Sequence, residues 1–528
     1  MMALEIVGAI PEEMLLLVSE TSPAAVVILA AGEGRRMKSR TPKVLHTLCG
    51  RTMVGHALAA AGELDPARLV VVLGHGRDQV SEEVAAAAPQ ARIVVQDQQF
   101  GTGHAVRMVT EAIGVVPGTV VVTYGDMPLL RGETLRELVG SHHRAGNAVT
   151  VLTARGDAAG YGRIVRDSGG AFLRIVEERD ATPAERAIDE YNSGLYVFDG
   201  VLLADGIKRV TADNAQQQEY LTDMVDILRS DGHQVGTLLA ADTAEVAGIN
   251  DRVQLAAARR ALNERILDGW MRAGVTIIDP ASTWIDVTVT LGQDAEIGPG
   301  TQLEGATVIG EGARIGPGCL LEDTTVGADS VVLHAVCRQA EIGPRVTVGP
   351  FAYLRPGASI AADAHIGTYV ELKKATVGPG AKVPHLTYVG DATIGAGANI
   401  GAGVIFANYD GVAKHHTTVG EHAFVGSNTV LVAPVTMGDG AYTAAGSVIT
   451  QDVSPGDLGV ARGRQHNSDG WVVRNRQETR SAEAAKRVRS SSPGGADFPH
   501  GGLQPPIPPG PRTPRGTADG EAKISDVQ

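Results

Sequence analysis

Between Ala24 and about Asn250 the chain alternates short apolar runs with stretches of helical spacing. Val26-Val27-Ile28-Leu29, Leu69-Val70-Val71-Val72-Leu73 and Val120-Val121-Val122-Thr123 are too short and too continuously apolar for surface helices and read as buried strands. Strands of this kind, separated by helical segments, predict a mostly parallel sheet covered on both faces. Ligands of such sheets bind beyond the carboxyl ends of the strands, and Gly32, Gly34, Gly125 and Asp126 all fall there. From Asp251 to about Ala273 the spacing changes: Val253, Leu255, Ala258, Leu262, Ile266 and Trp270 form one helical stripe, and Gly274 is a plausible stop.

A third texture follows. Ile297, Leu303, Ile309 and Ile315 recur every six residues, as do Ile342, Val348, Leu354, Ile360, Ile366 and Leu372. Val419, Val425, Leu431, Met437, Thr443 and Ile449 repeat the pattern, with Thr443 its one weak member. This hexapeptide period predicts a parallel β-helix, in which each unit forms one side of a triangular coil and its aliphatic residue stacks inward. Leu291 to Ile449 then makes roughly nine coils. Two irregularities stand out: a short slip between Glu322 and Ala340, and an intrusion from Gly401 to Thr418 that predicts a loop projecting from the wall. Beyond about Arg480 the chain is rich in Pro, Gly, Ser and charge, which predicts disorder.

Composition narrows the function. With 43% apolar residues the chain can form large cores, while only 4% aromatics beside 66 glycines fits small stacked units. A net charge of −14 argues against general nucleic-acid binding. No run of 18 or more consecutive apolar residues occurs, so no membrane span is predicted. The first 22 residues or so lack the basic start of a signal peptide. Cys49, Cys319 and Cys337 have neither disulfide nor zinc spacing, and predict reduced thiols in a cytoplasmic protein.

Leu29-Ala30-Ala31-Gly32-Glu33-Gly34-Arg35-Arg36-Met37 follows the first strand. Its small residues would let backbone N–H groups approach phosphate oxygens, although it matches neither a Walker loop nor the dinucleotide glycine pattern. Two glycines at a strand-to-helix turn could be purely structural; Thr41-Pro42-Lys43 supplies the further residue that phosphate chemistry needs. Together these segments resemble the signature of sugar-phosphate nucleotidyltransferases. The match continues through Gln96, Phe100-Gly101-Thr102-Gly103-His104-Ala105, Tyr124-Gly125-Asp126, Gly160-Tyr161-Gly162-Arg163-Ile164, Ile175-Val176-Glu177, Asn192-Ser193-Gly194 and Glu245-Val246-Ala247-Gly248-Ile249-Asn250.

Followed by hexapeptide repeats, this series resembles the family of bifunctional N-acetylglucosamine-1-phosphate uridylyltransferases and glucosamine-1-phosphate N-acetyltransferases, over about residues 24 to 472. The resemblance implies five segments: an extension over residues 1–23, a Rossmann-like α/β uridylyltransferase domain over 24–250, a helical linker over 251–274, a left-handed β-helix acetyltransferase domain over 275–472, and a tail over 473–528. It implies Mg²⁺ on Asp126 and Asn250, with Lys43 and Arg36 neutralising the triphosphate of UTP. Leu29, Ala30, Ala31, Gly32, Tyr124 and Gly125 would line the nucleotide site, Gln96, Gly101 and Thr102 would read uracil, and Gly162, Glu177 and Asn192 would hold the N-acetyl sugar. It further implies a homotrimer whose product feeds peptidoglycan and other cell-envelope synthesis.

The repeat region carries its own chemistry. Arg355 and Lys373 follow inward-facing leucines where small residues are usual, and at 18 residues apart they should stack on adjacent coils. Two stacked cations repel unless an anion joins them, and a sugar phosphate is such an anion. His385 follows within a coil. By resemblance, His385 is the general base that deprotonates the amine, with Glu371 orienting it. Arg355, Lys373, Tyr388 and Lys414 would bind the phosphate of glucosamine 1-phosphate, and Asn399 its sugar. Acetyl-CoA would lie against Ala402, Asn408, Tyr409, Ser427, Ala445 and Arg462. Ala407 departs from the family, which often has Cys there; His415 and His416 read as part of a solvated loop. Two rival readings keep only part of this: a nucleotidyltransferase for another base with a regulatory β-helix, or a trimeric scaffold without catalysis.

Overall fold

The computed structural model describes residues 22–491. Most of the predicted N-terminal extension, residues 1–21, and the tail over 492–528 lie outside the described residues. A seven-strand path runs Val235–Leu239, Val149–Arg155, Glu190–Asp199, Thr119–Tyr124, Ala25–Ala30, Leu69–Leu73 and Arg92–Val95, with a hairpin of Arg163–Arg166 and Phe172–Val176 attached. All neighbours on this path are parallel except Glu190–Asp199, which opposes both strands beside it. Alternation explains the continuous apolar run of the central strand: Val26, Ile28 and Ala30 enter one core, while Ala25, Val27 and Leu29 enter the core on the other face. A register shift between Asn192 and Tyr196 interrupts the antiparallel strand and leaves Asn192, Ser193 and Gly194 on the rim of the cleft.

The connector forms one helix, Arg252–Arg272, capped by the Asp251 side chain accepting from the Val253 and Gln254 amides. Leu255, Ala258, Leu262 and Leu267 are its buried apolar residues. Val253, which sequence spacing puts in the stripe, is 81% exposed because, two residues from the buried Leu255, it lies on the opposite face of the helix. The helix grips both neighbours. Arg252 donates to the Met37 carbonyl, Arg265 to that of Leu129, and Asn263 bonds the Thr283 carbonyl and Ile285 amide of the first β-helix coils.

Parallel pairing from coil to coil then continues from Thr276 to Gly459 along the β-helix. Leu354, Leu372 and Val389 stack in register, as do Ile342 and Ile360, and these side chains are fully or almost fully buried. The slip near Glu322–Ala340 is a pair of shortened corners. Val308 pairs with Thr325 and Leu320 with Val336, and Asp323, His334 and Gln339 take positive φ to close the tighter turns. The intrusion is narrower than Gly401–Thr418. Ile405–Ala407 stays on the wall and Gly401 donates to Val425, so the part that projects centres on Asn408–His416. A second compact unit begins at Gly463, with helices Trp471–Asn475 and Arg480–Ser491. The second helix occupies sequence predicted to be disordered; its Ala, Glu, Lys and Arg content favours helix where the apolar pattern is silent.

Thr443, the weak member of the repeat, is 3% exposed, and its hydroxyl accepts from the Gly426 amide at 2.9 Å. Thr443→Val supplies the side chain the repeat asks for, yet strands that buried N–H. It should destabilise the protein by about 1–3 kcal/mol, read as a lower denaturant midpoint; a raised midpoint would show that the hydroxyl bond contributes nothing.

Candidate active sites

A cleft of about 620 Å³ opens at the carboxyl ends of the central strands. The loop after Ala25–Ala30 forms its floor. Gly34 is left-handed, and a Cβ there would collide with the Lys43 side chain, so glycine is what lets Lys43 cross under the loop. The Lys43 ammonium is paired with Asp126 and donates to the Asn250 side-chain oxygen at 3.1 Å. Asp126 ends the Thr119–Tyr124 strand's turn, and its carbonyl accepts from the Ile249 amide at 3.0 Å, which sets Asn250 beside it. The Asn250 amide is held in turn by Gln254.

Leu29, Ala30, Ala31, Gly32, Arg36, Lys43, Gln96, Gly101, Thr102, Tyr124, Asp126, Gly162, Glu177, Asn192 and Asn250 all line this one cleft. Gly125 does not. Its amide donates to the Leu29 carbonyl and a Cβ there would press on Ala30. Gln96 donates to the Gly101 carbonyl at 3.1 Å and shares a 2.9 Å bond with His104. Glu177 is pushed above the usual carboxylate range by burial, against the Thr222 hydroxyl bonded to it at 3.2 Å. Sequence reasoning missed Gln99, Tyr161, Gln216, Gln218, Tyr220, Thr222 and Gln254, which also line the cleft. The Gln216–Thr222 group belongs to a loop without periodic signal, and only the polar run Asn214-Ala215-Gln216-Gln217-Gln218 hinted at it.

On the β-helix, Arg355 and Lys373 do occupy neighbouring coils, since Leu354 pairs with Leu372. Their charges are met by carboxylates as well as being available to an anion. Arg355 bonds Glu371 at 2.9 Å, and Lys373 approaches Asp391 at 3.3 Å. Glu371 gives one carboxylate oxygen to Arg355. Lys414 comes back from the projecting loop to Lys373, whose adjacent ammonium pushes Lys414 below the usual lysine range. Tyr388 acts electrostatically on both Arg355 and Lys373. Asp391, which sequence reasoning passed over, also accepts from Asn408 and so joins wall and loop.

The remaining candidates run along the preceding corner of the same coils. The Gly403 amide donates to the His385 carbonyl, the Asn428 amide to Ala402 and the Gly446 amide to Ser427. Arg462 closes the series by donating to the Ala445 carbonyl at 2.8 Å. His385 is exposed, and Asn399 is half-buried on the neighbouring wall, paired with Lys382 and Phe424. Tyr409 is 59% exposed, with its hydroxyl on the Gly411 carbonyl. His415 pairs with Asp410 at 2.7 Å and His416 contacts Thr393 at 3.0 Å, both on the projecting loop. Cys49, Cys319 and Cys337 are free and buried, and burial pushes the Cys49 thiol up to about 12. No helix among the described residues is long and apolar enough to cross a membrane.

A cleft roomy enough for a nucleotide, at the carboxyl edge of a nearly parallel sheet and followed by a cation-bearing hexapeptide β-helix, defines a nucleotidyltransferase joined to a hexapeptide transferase. The MobA-like NTP transferase domain matches residues 26–191, and the bacterial transferase hexapeptide (six repeats) matches 288–323 and 416–451. Proteins called Bifunctional protein GlmU align along nearly their whole length. That of Streptomyces avermitilis is 60% identical, over 91% of this chain and 100% of its own. Those of Thermobifida fusca and Corynebacterium efficiens are 58% and 50% identical, over 90% and 89% of this chain and 99% and 98% of theirs. The chain belongs to the bifunctional GlmU family. It is a uridylyltransferase and acetyltransferase of UDP-N-acetylglucosamine synthesis.

Asp223, next to Thr222, is pushed up to about 6 by burial and by the charges of Asp226 and Asp180. Its folded value exceeds its unfolded one, so ionising it costs the folded state stability as pH rises from about 4 through about 6. Asp223→Asn should raise the melting temperature at about pH 8 and leave it unchanged at about pH 4. Equal shifts at both values would contradict this assignment.

Proposed function

We propose that the β-helix first acetylates glucosamine 1-phosphate and that the sheet-edge cleft then transfers UMP from UTP to the N-acetylated product. The observation that carries the cleft assignment is the convergence of Lys43, Asp126 and Asn250 from three distant segments onto one point. A phosphate oxygen of the sugar 1-phosphate attacks the α-phosphorus of UTP and pyrophosphate leaves. The nucleophile is already an anion, so the protein's task is alignment and charge neutralisation. Arg36 and Lys43 neutralise phosphate charge, and the small residues Leu29 to Gly32 allow the backbone close to it. Gln96 with Gly101 and Thr102 reads the base, while Gly162, Glu177 and Asn192 hold the sugar. Tyr124 closes the wall between these two ends.

Asp126 and Asn250 suit Mg²⁺. Their side-chain oxygens already converge on one cationic atom, the Lys43 nitrogen, and hard oxygen donors are what this ion takes. Mg²⁺ held there would supply positive charge against the phosphates, beside that of Lys43.

In the acetyl transfer on the β-helix, His385 takes a proton from the sugar amine, and the amine nitrogen attacks the acetyl carbonyl, releasing CoA as the thiol. Its exposure supports this role, since the ring is open to a substrate. Arg355, Lys373, Tyr388 and Lys414 grip the phosphate, Asn399 the sugar, and Ala402, Asn408, Tyr409, Ser427, Ala445 and Arg462 the acetyl-CoA. Outward apolar residues, Phe424 and Tyr442 on one wall and Ile405 and Val448 on another, support packing of the β-helix against other copies, in a homotrimer with sites closed between chains. Buried free thiols support a cytoplasmic setting.

The two chemistries should separate by point mutation, because their groups share no partners. Asp126→Ala should lower uridylyl transfer, followed as pyrophosphate, by about 10²–10³ and leave acetyl transfer, followed as free thiol, near normal. His385→Ala should lower acetyl transfer by about 10²–10⁴ and spare the other half-reaction. Loss of both activities in either folded variant would mean a shared site. Sedimentation of an active, stable monomer would contradict the trimer.

A further inference from the structure

The loop ending in Thr222 is tied to the base-reading turn by more than proximity. The Glu219 amide donates to the Phe100 carbonyl at 2.7 Å, and the Glu219 carbonyl accepts from the Gly103 amide at 2.8 Å. The Leu221 amide donates to the Thr102 hydroxyl at 3.1 Å. Gly101 is held at φ +116, and a Cβ there would collide with the Glu219 backbone; at Gly103 a Cβ would stand 2.9 Å from the same carbonyl. The two glycines thus exist to let one strap lie flat across the turn. The strap continues through Tyr220, which lines the cleft, to Thr222, whose hydroxyl bonds Glu177. One short segment therefore touches the base-reading end and the sugar-holding end.

One side-chain ion pair adds orientation to these bonds. Arg107, on the helix Thr102–Ile113, donates from Nε to one Glu219 oxygen at 3.1 Å and from Nη2 to the other at 2.6 Å. This two-pronged geometry specifies orientation as well as distance. Neither side chain lines the cleft.

We propose that Arg107 and Glu219 are positioning residues for uridylyl transfer: their pair sets the 219–222 strap, and through it the placement of Gly101 and Thr102 against the base and of Glu177 against the sugar. The inference rests on the reading that Gln96, Gly101 and Thr102 select uracil. Loosening the pair frees the turn, so selection of UTP over CTP, whose ring reverses the hydrogen-bonding groups, weakens along with affinity.

Glu219→Gln and Arg107→Gln, singly and together, test this by pyrophosphate release with UTP and with CTP, and by acetyl transfer in the same samples. Each single variant should raise KM for UTP about tenfold and reduce the UTP-over-CTP ratio of kcat/KM about tenfold, with kcat for UTP within about twofold and acetyl transfer unchanged. The double variant should be no worse than either single one, because both remove the same pair. Wild-type KM and ratio in either single variant, or additive losses in the double, overturn the proposal. Should a variant also lose acetyl transfer through misfolding, Arg107→Lys, which keeps the charge but not the two-pronged bond, is read by the same criteria. Failure of the unaltered protein to prefer UTP would instead sink the base-reading assignment itself.

Discussion

The Lys43 ammonium held between Asp126 and Asn250 is the contact on which the first domain's geometry depends. It joins the glycine loop after the first strand, the turn at the end of a central strand, and the segment that launches the connector helix. Each of these could be built alone, but only together do they place a cation and two oxygen donors at one point. Removing Lys43 or Asp126 leaves a partly buried charge without its partner, which is costly. The surroundings are organised to keep the point intact: Gly34 makes room for Lys43, the Asp126 carbonyl takes the Ile249 amide, and Arg252 holds the end of the loop.

A different constraint shapes the second domain. Stacking coils one over the next aligns side chains that are far apart in sequence, and at the corners this brings charges into register. Arg355 with Glu371 and Lys373 with Asp391 show how the fold tolerates them: each cation has a carboxylate within reach, leaving N–H groups for a ligand. Asp391 meets burial, which would raise its carboxyl, with Asn408 and Lys373, which hold it below the usual range. The projecting loop is thereby fastened to the wall through the same carboxylate that steadies Lys373.

The strands are legible as short continuous apolar runs, and the connector helix and the coils by their periods of three to four and of six. Lys43, Asp126 and Asn250 are legible only through the ordered motifs that carry them, since nothing in spacing says that three segments meet. What resists reading is set by contacts without period. Glu371 bonds Arg355 one coil away, a pairing set by the register of the stacked strands. The loop through Tyr220 and Thr222 has no apolar repeat, so its return to the cleft emerges only in three dimensions.

One chain performs both reactions in series, and the mass of the product reports on the whole sequence at once. The protein incubated with glucosamine 1-phosphate, acetyl-CoA, UTP and Mg²⁺ should yield UDP-N-acetylglucosamine together with CoA and pyrophosphate. Accumulation of N-acetylglucosamine 1-phosphate without the nucleotide sugar, or unreacted glucosamine 1-phosphate beside active uridylyl transfer from added N-acetylglucosamine 1-phosphate, would contradict it.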